Sequence, residues 1–197
     1  MFNFTKYFRS GLIFSSITAI SLVCLVAAGC AHVAPPYRSS AANVEEIKRV
    51  AGNFTSKVAV GDFTADKDVP KSITCRGEGP VSAPGEKTFE QFIKDALVQE
   101  LRLAEVFDET SDRKLTATLN AIDFSSAMSG GNWNIQMTFS AKQVEPFAIS
   151  IDYPFESSFM AATACEQVAQ AFPLATQKLI SELIKHPSFR KVAGGQE

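Results

Sequence analysis

The stretch NWNIQMTFS, residues 132–140, decides the fold class because apolar and polar side chains alternate along it without interruption. Trp133, Ile135, Met137 and Phe139 fall on one face, and the residues between them are all polar. Successive side chains of a β-strand point to opposite faces, so this alternation predicts a strand with one buried and one solvated face.

Two neighbouring stretches repeat this alternation. They are KLTATLNAIDF, residues 114–124, and PFAISIDYPF, residues 146–155. Turn-forming residues at 129–132 and a longer turn at 141–146 separate the three segments, which predicts an antiparallel meander with one apolar face. The shorter stretch SKVAVGDF, residues 56–63, predicts a further strand earlier in the chain.

Two helices are predicted to cover the apolar face of this sheet. TFEQ, residues 88–91, is a capping box and begins a helix that ends near Ala104. Apolar residues from Cys165 to Leu183 recur at helical spacing, with Pro173 predicted to kink or divide that second helix. We therefore predict an α+β fold of order β-α-β-β-β-α. Its sheet is four-stranded and mainly antiparallel, with both helices on one face.

The segment 64–87 contains several glycines and prolines and is predicted to be a long loop. Structureless connections of this length are uncommon in compact domains and are often functional. Arg76 and Glu78, beside Cys75, are the residues in it that we predict to contact a partner. Phe155 and Phe159 bracket residues 156–158 before the last predicted helix and are less regularly placed than the other phenylalanines, so they are candidates to line a groove.

The chain begins with the basic residues Lys6 and Arg9, which an uncharged, mainly apolar run from Gly11 to Gly29 follows. This order of segments is typical of a secretory signal, so residues 1–29 are predicted to be a signal peptide. A permanent membrane helix is the alternative, but the run lies at the lower limit of about 20 residues and contains serines.

The end of that run, VAAGC at residues 26–30, resembles a bacterial lipobox, with Ala27 where leucine is usual. The resemblance implies that Cys30 carries a covalent lipid, which is the only cofactor we predict. Ala31 resembles the outer-membrane class, which implies a lipid-anchored protein that faces the periplasm. The polar and proline-bearing segment 30–43 is then predicted to be a tether and residues 44–197 to form a single domain.

The lipobox resemblance also decides how the four cysteines are interpreted. Cys24 would leave with the signal peptide and Cys30 would carry lipid, so Cys75 and Cys165 remain as one pair. Exported proteins fold in an oxidising compartment, and we therefore predict a Cys75–Cys165 disulfide. Two separate buried thiols are the alternative.

The remaining composition argues against nucleic-acid binding and against a metal enzyme. Nineteen basic and 21 acidic side chains leave no basic excess, so no nucleic-acid partner is predicted. His32 and His186 have no histidine or cysteine at metal-ligand spacing, and no nucleophile elbow or P-loop occurs in the sequence. We therefore predict no catalytic residue and no metal site. Carboxylates such as Asp123 and Asp152 keep a periplasmic hydrolase open as the least favoured alternative.

The motif VAVGDF, residues 58–63, with a helix and a meander after it, is similar to small periplasmic lipoproteins of the YajG, CsgG and LpoB type. That resemblance implies work in envelope assembly, secretion or activation of cell-wall synthesis. The predicted function is a non-enzymatic module that binds or scaffolds an envelope protein or a cell-wall component. The alternative is a transport-accessory carrier that holds a small apolar or lipid ligand in a cavity between sheet and helices.

Overall fold

A computed structural model of the chain describes residues 31–52 and 57–193. These residues form seven strands and four helices in two sheets, which confirms the α+β class. The elements in chain order are β1 His32–Val33, α1 Ala41–Ala51, β2 Ala59–Ala65, β3 Ile73–Cys75, β4 Gly79–Ser82, α2 Phe89–Leu103, β5 Lys114–Ala127, β6 Gly130–Ala141, β7 Val144–Phe155, α3 Ala161–Lys185 and α4 Pro187–Val192.

The larger sheet has the strand order β2-β5-β6-β7. β5, β6 and β7 are antiparallel neighbours, whereas β2 pairs in parallel with β5. The prediction of a mainly antiparallel architecture is wrong, because β1 and β4 of the second sheet are parallel as well. β2 is parallel to β5 because α2 lies on the connection between them, and a crossover of this kind returns the chain in its original direction.

The smaller sheet has the order β1-β4-β3 and is built largely from the segment predicted to be a loop. β3 and β4 both lie within residues 64–87 and pair antiparallel. The predicted total of four strands and the order β-α-β-β-β-α are therefore wrong. Strands of two to four residues are too short to show a period, so their sequences predict no strand.

Helices α1 and α2 begin where side chains satisfy free backbone N–H groups. At α2, the Thr88 amide donates to Gln91 Oε1 at 3.1 Å, as the capping box predicts. At α1, the Asn43 amide donates to Ser40 Oγ at 3.3 Å. α3 continues through Pro173 without division, because the helix packs along its length on the sheet.

Aromatic rings fill the space between the larger sheet and the helices. Trp133 of β6 is fully buried, and its ring centroid lies 5.1 Å from that of Phe172 and 6.1 Å from that of Phe89. Its indole Nε1 donates to the Val168 carbonyl of α3 at 2.9 Å. This hydrogen bond fixes the indole in one orientation, so the rings form a specific interlayer core.

The described part of the segment predicted to be a tether lies against the domain. His32 and Val33 pair with Val81 and Ser82 of β4, and Ala34 is buried. Further along, Gln177 of α3 donates from Nε2 to the Arg38 carbonyl at 2.7 Å. Residues 31–38 thus run along α3 instead of extending away from it.

A buried carboxylate holds the end of this segment. Oε1 of Glu100, on α2, accepts hydrogen bonds from the Tyr37 hydroxyl, from the Ser40 amide at 3.0 Å and from Asn43 Nδ2 at 3.4 Å. The Glu100 side chain is 0% exposed, and its Oε2 has no hydrogen-bond partner among the described residues. Burial raises the pKa of the Glu100 carboxyl, because desolvation outweighs the three donors. Burial likewise raises the pKa of the Tyr37 hydroxyl, and its hydrogen bond to Glu100 raises it further.

Glu100→Gln should weaken the pH dependence of stability. Because the folded state raises the pKa of Glu100, this carboxyl contributes stability that is fully present below its unfolded pKa of about 4.3. That contribution is lost as the pH rises through the folded pKa. Glutamine keeps an acceptor for the three donors and does not ionise. Urea unfolding at a series of pH values should therefore show a smaller loss of unfolding free energy with rising pH in the variant.

Tyr37→Phe is the control, because it removes one donor and leaves the carboxyl able to titrate. It should lower stability by about 1 kcal/mol through the lost hydrogen bond. The fall in stability with rising pH should persist and extend to higher pH, because the hydrogen bond from Tyr37 lowers the pKa of Glu100. The same pH profile for Glu100→Gln and the wild type would contradict the role assigned to Glu100.

Candidate functional site

The end of the molecule where β3 meets α3 is built around a disulfide. The Sγ atoms of Cys75 and Cys165 lie 2.04 Å apart and the Cα atoms 5.7 Å apart. Cys75 is the last residue of β3, and Cys165 lies in the first turns of α3. Both are buried, so the bond joins the smaller sheet to the helix that covers the larger one.

Arg76, predicted to contact a partner, makes internal hydrogen bonds at this end. Its Nε donates to Ser126 Oγ at 3.1 Å, and its Nη1 donates to the carbonyls of Ser158 and Phe159 at 3.0 and 3.3 Å. Arg76 thus connects the smaller sheet, the end of β5 and the residues before α3. The sequence does not predict this, because its partners lie more than 45 positions away.

Glu78 lies in the same turn and its side chain is exposed. Its backbone amide donates to the Cys75 carbonyl at 2.9 Å, which closes the turn between β3 and β4. A partner contact by Glu78 stays a prediction.

An open cleft of about 570 Å³ lies between the β5–β6 turn and the residues that follow β7. Residues 128–131, 154–157 and Gln167 line it. The ring of Phe155 lies directly on Gly131, where an added Cβ would be 2.3 Å from the ring. Phe155 therefore lines this cleft, whereas Phe159, the other groove candidate, is not among its lining residues.

Three large apolar side chains are exposed at this end. Met128 is 65% exposed, Phe159 80% and Met160 66%. Phe159 and Met160 directly precede α3, and Met128 lies at the β5–β6 turn. We call these three residues the apolar end patch. The sequence marks Phe159 as a groove candidate, but Met128 and Met160 lie outside every periodic segment and are not predicted.

The solvated side of the larger sheet forms a second distinct surface, which we call the polar face. Hydrogen bonds between its side chains cross the strands. Asn132 Nδ2 donates to Asp152 Oδ2 at 2.7 Å, and Thr138 Oγ1 donates to Asn120 Oδ1 at 2.8 Å. The face comprises Thr118, Asn120, Asp123, Asn132, Asn134, Gln136, Thr138, Ser150 and Asp152. It offers amide, hydroxyl and carboxylate groups to hydrogen-bond a polar partner.

The histidines lie far apart and in structural positions. The His186 ring stacks on Phe147 with a centroid distance of 4.4 Å, and its Nδ1 accepts from the Ser188 amide at 3.2 Å. His32 lies in β1. Within residues 31–52 and 57–193, no group of three or more histidine, cysteine, aspartate or glutamate side chains could hold a metal ion.

Cys30 and the predicted signal peptide lie outside the described residues. Of the helices in the described part of the chain, none has the length and apolar character needed to cross a membrane.

Fold and surfaces together define a small two-sheet α+β domain with a disulfide-linked end. No family model matches the chain, and no curated protein matches it. Among solved structures, it is similar to the crystal structure of protein XCC0632 from Xanthomonas campestris, of the family DUF330. The sequences are 13% identical, the TM-score is 0.46, and the match covers 79% of this chain and 95% of the other. A likeness of this size assigns neither a function nor site residues to this chain.

Replacing both Cys75 and Cys165 by serine should lower the free energy of unfolding by about 4–5 kcal/mol, as the chain-entropy model gives for a long loop. The two residues are 90 positions apart, so the bond restricts a large part of the unfolded chain. Urea unfolding of the wild type, with and without reductant, is the measurement. Reductant should not alter the stability of the double variant. Two free thiols in the mature, unreduced protein by mass spectrometry would contradict the pairing.

Proposed function

We propose that this protein is a bacterial outer-membrane lipoprotein whose domain faces the periplasm and binds or scaffolds another envelope component without catalysis. Residues 1–29 are its signal peptide, and Cys30 carries its lipid. The basic start, the apolar run and the small residues before Cys30 support export and lipidation. Two or more acyl chains would suffice for stable anchoring.

The polar face is the observation that carries the binding role. β6 lies between β5 and β7, so Asn134 stands in register between Asp123 and Asp152, and Gln136 stands between Ala121 and Ser150. This arrangement presents rows of donors and acceptors on a rigid sheet, whose ordered side chains lose little further entropy on binding. Such a surface fits a polar partner and not an apolar ligand.

The free edge of β7 extends this surface. Within the described residues β7 pairs with β6 alone, so one of its edges has unpaired main-chain groups. Edges of this kind accept an extended segment of a partner through backbone hydrogen bonds. Pro146 and Pro154 lie near the two ends of β7 and limit such pairing to the residues between them.

The alternative function, a carrier that holds an apolar or lipid ligand between the sheet and the helices, has less support. Phe89, Trp133 and Phe172 occupy the space between sheet and helices where its ligand would lie. Asp123 and Asp152 face solvent on an open sheet, where water solvates their charge, so we assign them no catalytic role.

Cys30→Ser should abolish fatty-acid labelling of the protein, because the thioether to the lipid cannot form on serine. Metabolic labelling with a radioactive fatty acid, followed by immunoprecipitation and membrane fractionation, measures this. The wild type should be labelled and fractionate with the outer membrane. Cys24→Ser is the matched control and should leave the label unchanged. Labelling of the Cys30 variant at the wild-type level would refute the lipid attachment.

A photo-crosslinking amino acid in place of Gln136 should capture the partner in intact cells, because this side chain lies in the middle of the polar face. The control places the same amino acid at Lys178, an exposed position on α3. We expect a discrete adduct from position 136 alone, and sensitivity to lysozyme would distinguish a cell-wall glycan from a protein. Absence of an adduct from position 136, or the same adduct from both positions, would contradict the binding role.

A further inference from the structure

The apolar end patch gathers exposed apolar area at one place on the molecule. Isolated exposed apolar residues are ordinary on protein surfaces, but a contiguous group indicates a contact. Phe159 and Met160 are neighbours in the chain, and Met128 lines the cleft that Gln167 of α3 also borders. The Arg76 guanidinium, bound to both Ser126 and the Phe159 carbonyl, holds the β5–β6 turn against the start of α3.

The first described residue, Ala31, lies at this same end. His32 pairs with Val81, so Ala31 lies beside Pro80, which pairs with Thr74 next to the disulfide. Ala31 and Glu166 of α3 also line one cleft. Glu166 is six residues after Met160, a distance of about 9 Å along a helix.

The path of residues 31–38 along α3 agrees with this position of Ala31. Residue 38 already reaches Gln177, eleven residues further along α3 than Glu166. Residues 31–38 therefore run alongside the helix from its N-terminal end. Ala31, the residue that follows the proposed lipid attachment site in the sequence, therefore lies at the end of the molecule that carries the apolar end patch.

We propose that the apolar end patch inserts into the surface of the same bilayer that holds the lipid of Cys30. This inference rests on the lipidation proposed above and adds a second, side-chain contact with the membrane. Transfer of phenylalanine and methionine side chains from water to an apolar environment is favourable. The interfacial region of a bilayer can accommodate such side chains without a membrane-spanning segment. Ala31 directly precedes β1, so no long linker separates the lipid from the folded domain. The lipid would therefore bring the patch to the bilayer without the entropy cost of ordering such a linker.

The charged residues around the patch indicate that its contact with the bilayer is apolar and not electrostatic. Arg76 is the basic residue beside it, and Glu78, Glu156 and Glu166 are the acidic ones. One basic and three acidic residues do not attract anionic lipids, so a higher salt concentration should not weaken insertion.

Insertion of the apolar end patch would also set the orientation of the larger sheet relative to the bilayer. The β5–β6 turn lies at the membrane end, and β6, with twelve residues, runs about 40 Å away from it. The polar face and the β7 edge then stand out from the bilayer, where a periplasmic partner can reach them.

Depth-dependent quenching of tryptophan fluorescence tests the inference. Phe159→Trp and Met128→Trp place probes in the patch, and Leu174→Trp, on an exposed position about 22 Å further along α3, is the matched control. Each full-length, lipidated variant is reconstituted into vesicles of phosphatidylethanolamine and phosphatidylglycerol whose acyl chains are brominated. Unmodified protein measures the signal of the buried Trp133.

We expect the patch probes to be quenched at least twofold more than the Leu174→Trp probe, with no loss of quenching at high salt. Protein that floats with the vesicles but shows equal quenching at all three positions would overturn the inference and leave the lipid anchor standing. Wild-type protein that fails to float with vesicles would overturn the lipid anchor, and the inference with it.

Discussion

The Cys75–Cys165 disulfide is the constraint on which the arrangement of the two sheets depends. β3 has three residues and β4 has four, so their backbone hydrogen bonds alone are too few to hold a separate sheet. The disulfide attaches the end of β3 to α3, and α3 packs on β6 and β7. Because the smaller sheet is held in this way, its third strand, β1, has a fixed edge on which to pair. The position of Ala31 therefore follows from the disulfide.

The parts of the fold that the sequence predicts are those with a strong period or a defined cap. Alternation over residues 132–140 predicts β6 because a long strand with one buried face repeats its pattern several times. Alternation carries no information on strand direction, so it does not predict the parallel pairing of β2 with β5. The sequence does not predict β1, β3 and β4, because each is stabilised by pairing with another segment and not by local preference.

Some residues of the candidate site can likewise be predicted from the sequence, and others cannot. Cysteine usage and the lipobox resemblance predict the pairing of Cys75 with Cys165, and the less regular placement of Phe155 and Phe159 before the last helix marks them as groove candidates. The roles of Arg76 and Glu100 have no local signal, because their partners come from other parts of the chain. The three donors to Glu100 all come from residues 37–43, far from it in the sequence. A polar, proline-bearing sequence such as 30–43 is typical of a tether, and its composition does not show that Tyr37 binds a buried carboxylate.

This fixed segment changes how lipid anchoring would act on the domain. A free tether of 13 residues would let the domain turn in any direction at up to about 45 Å from its membrane. Here, β1 holds the chain at His32 and Val33, and Glu100 holds it again at Ser40, so residues 32–40 do not form a free tether. An acyl anchor at Cys30 would then hold the domain in one orientation and close to the bilayer. Glu100 and the disulfide, at opposite ends of the segment, would determine which surface faces the membrane and which faces the partner.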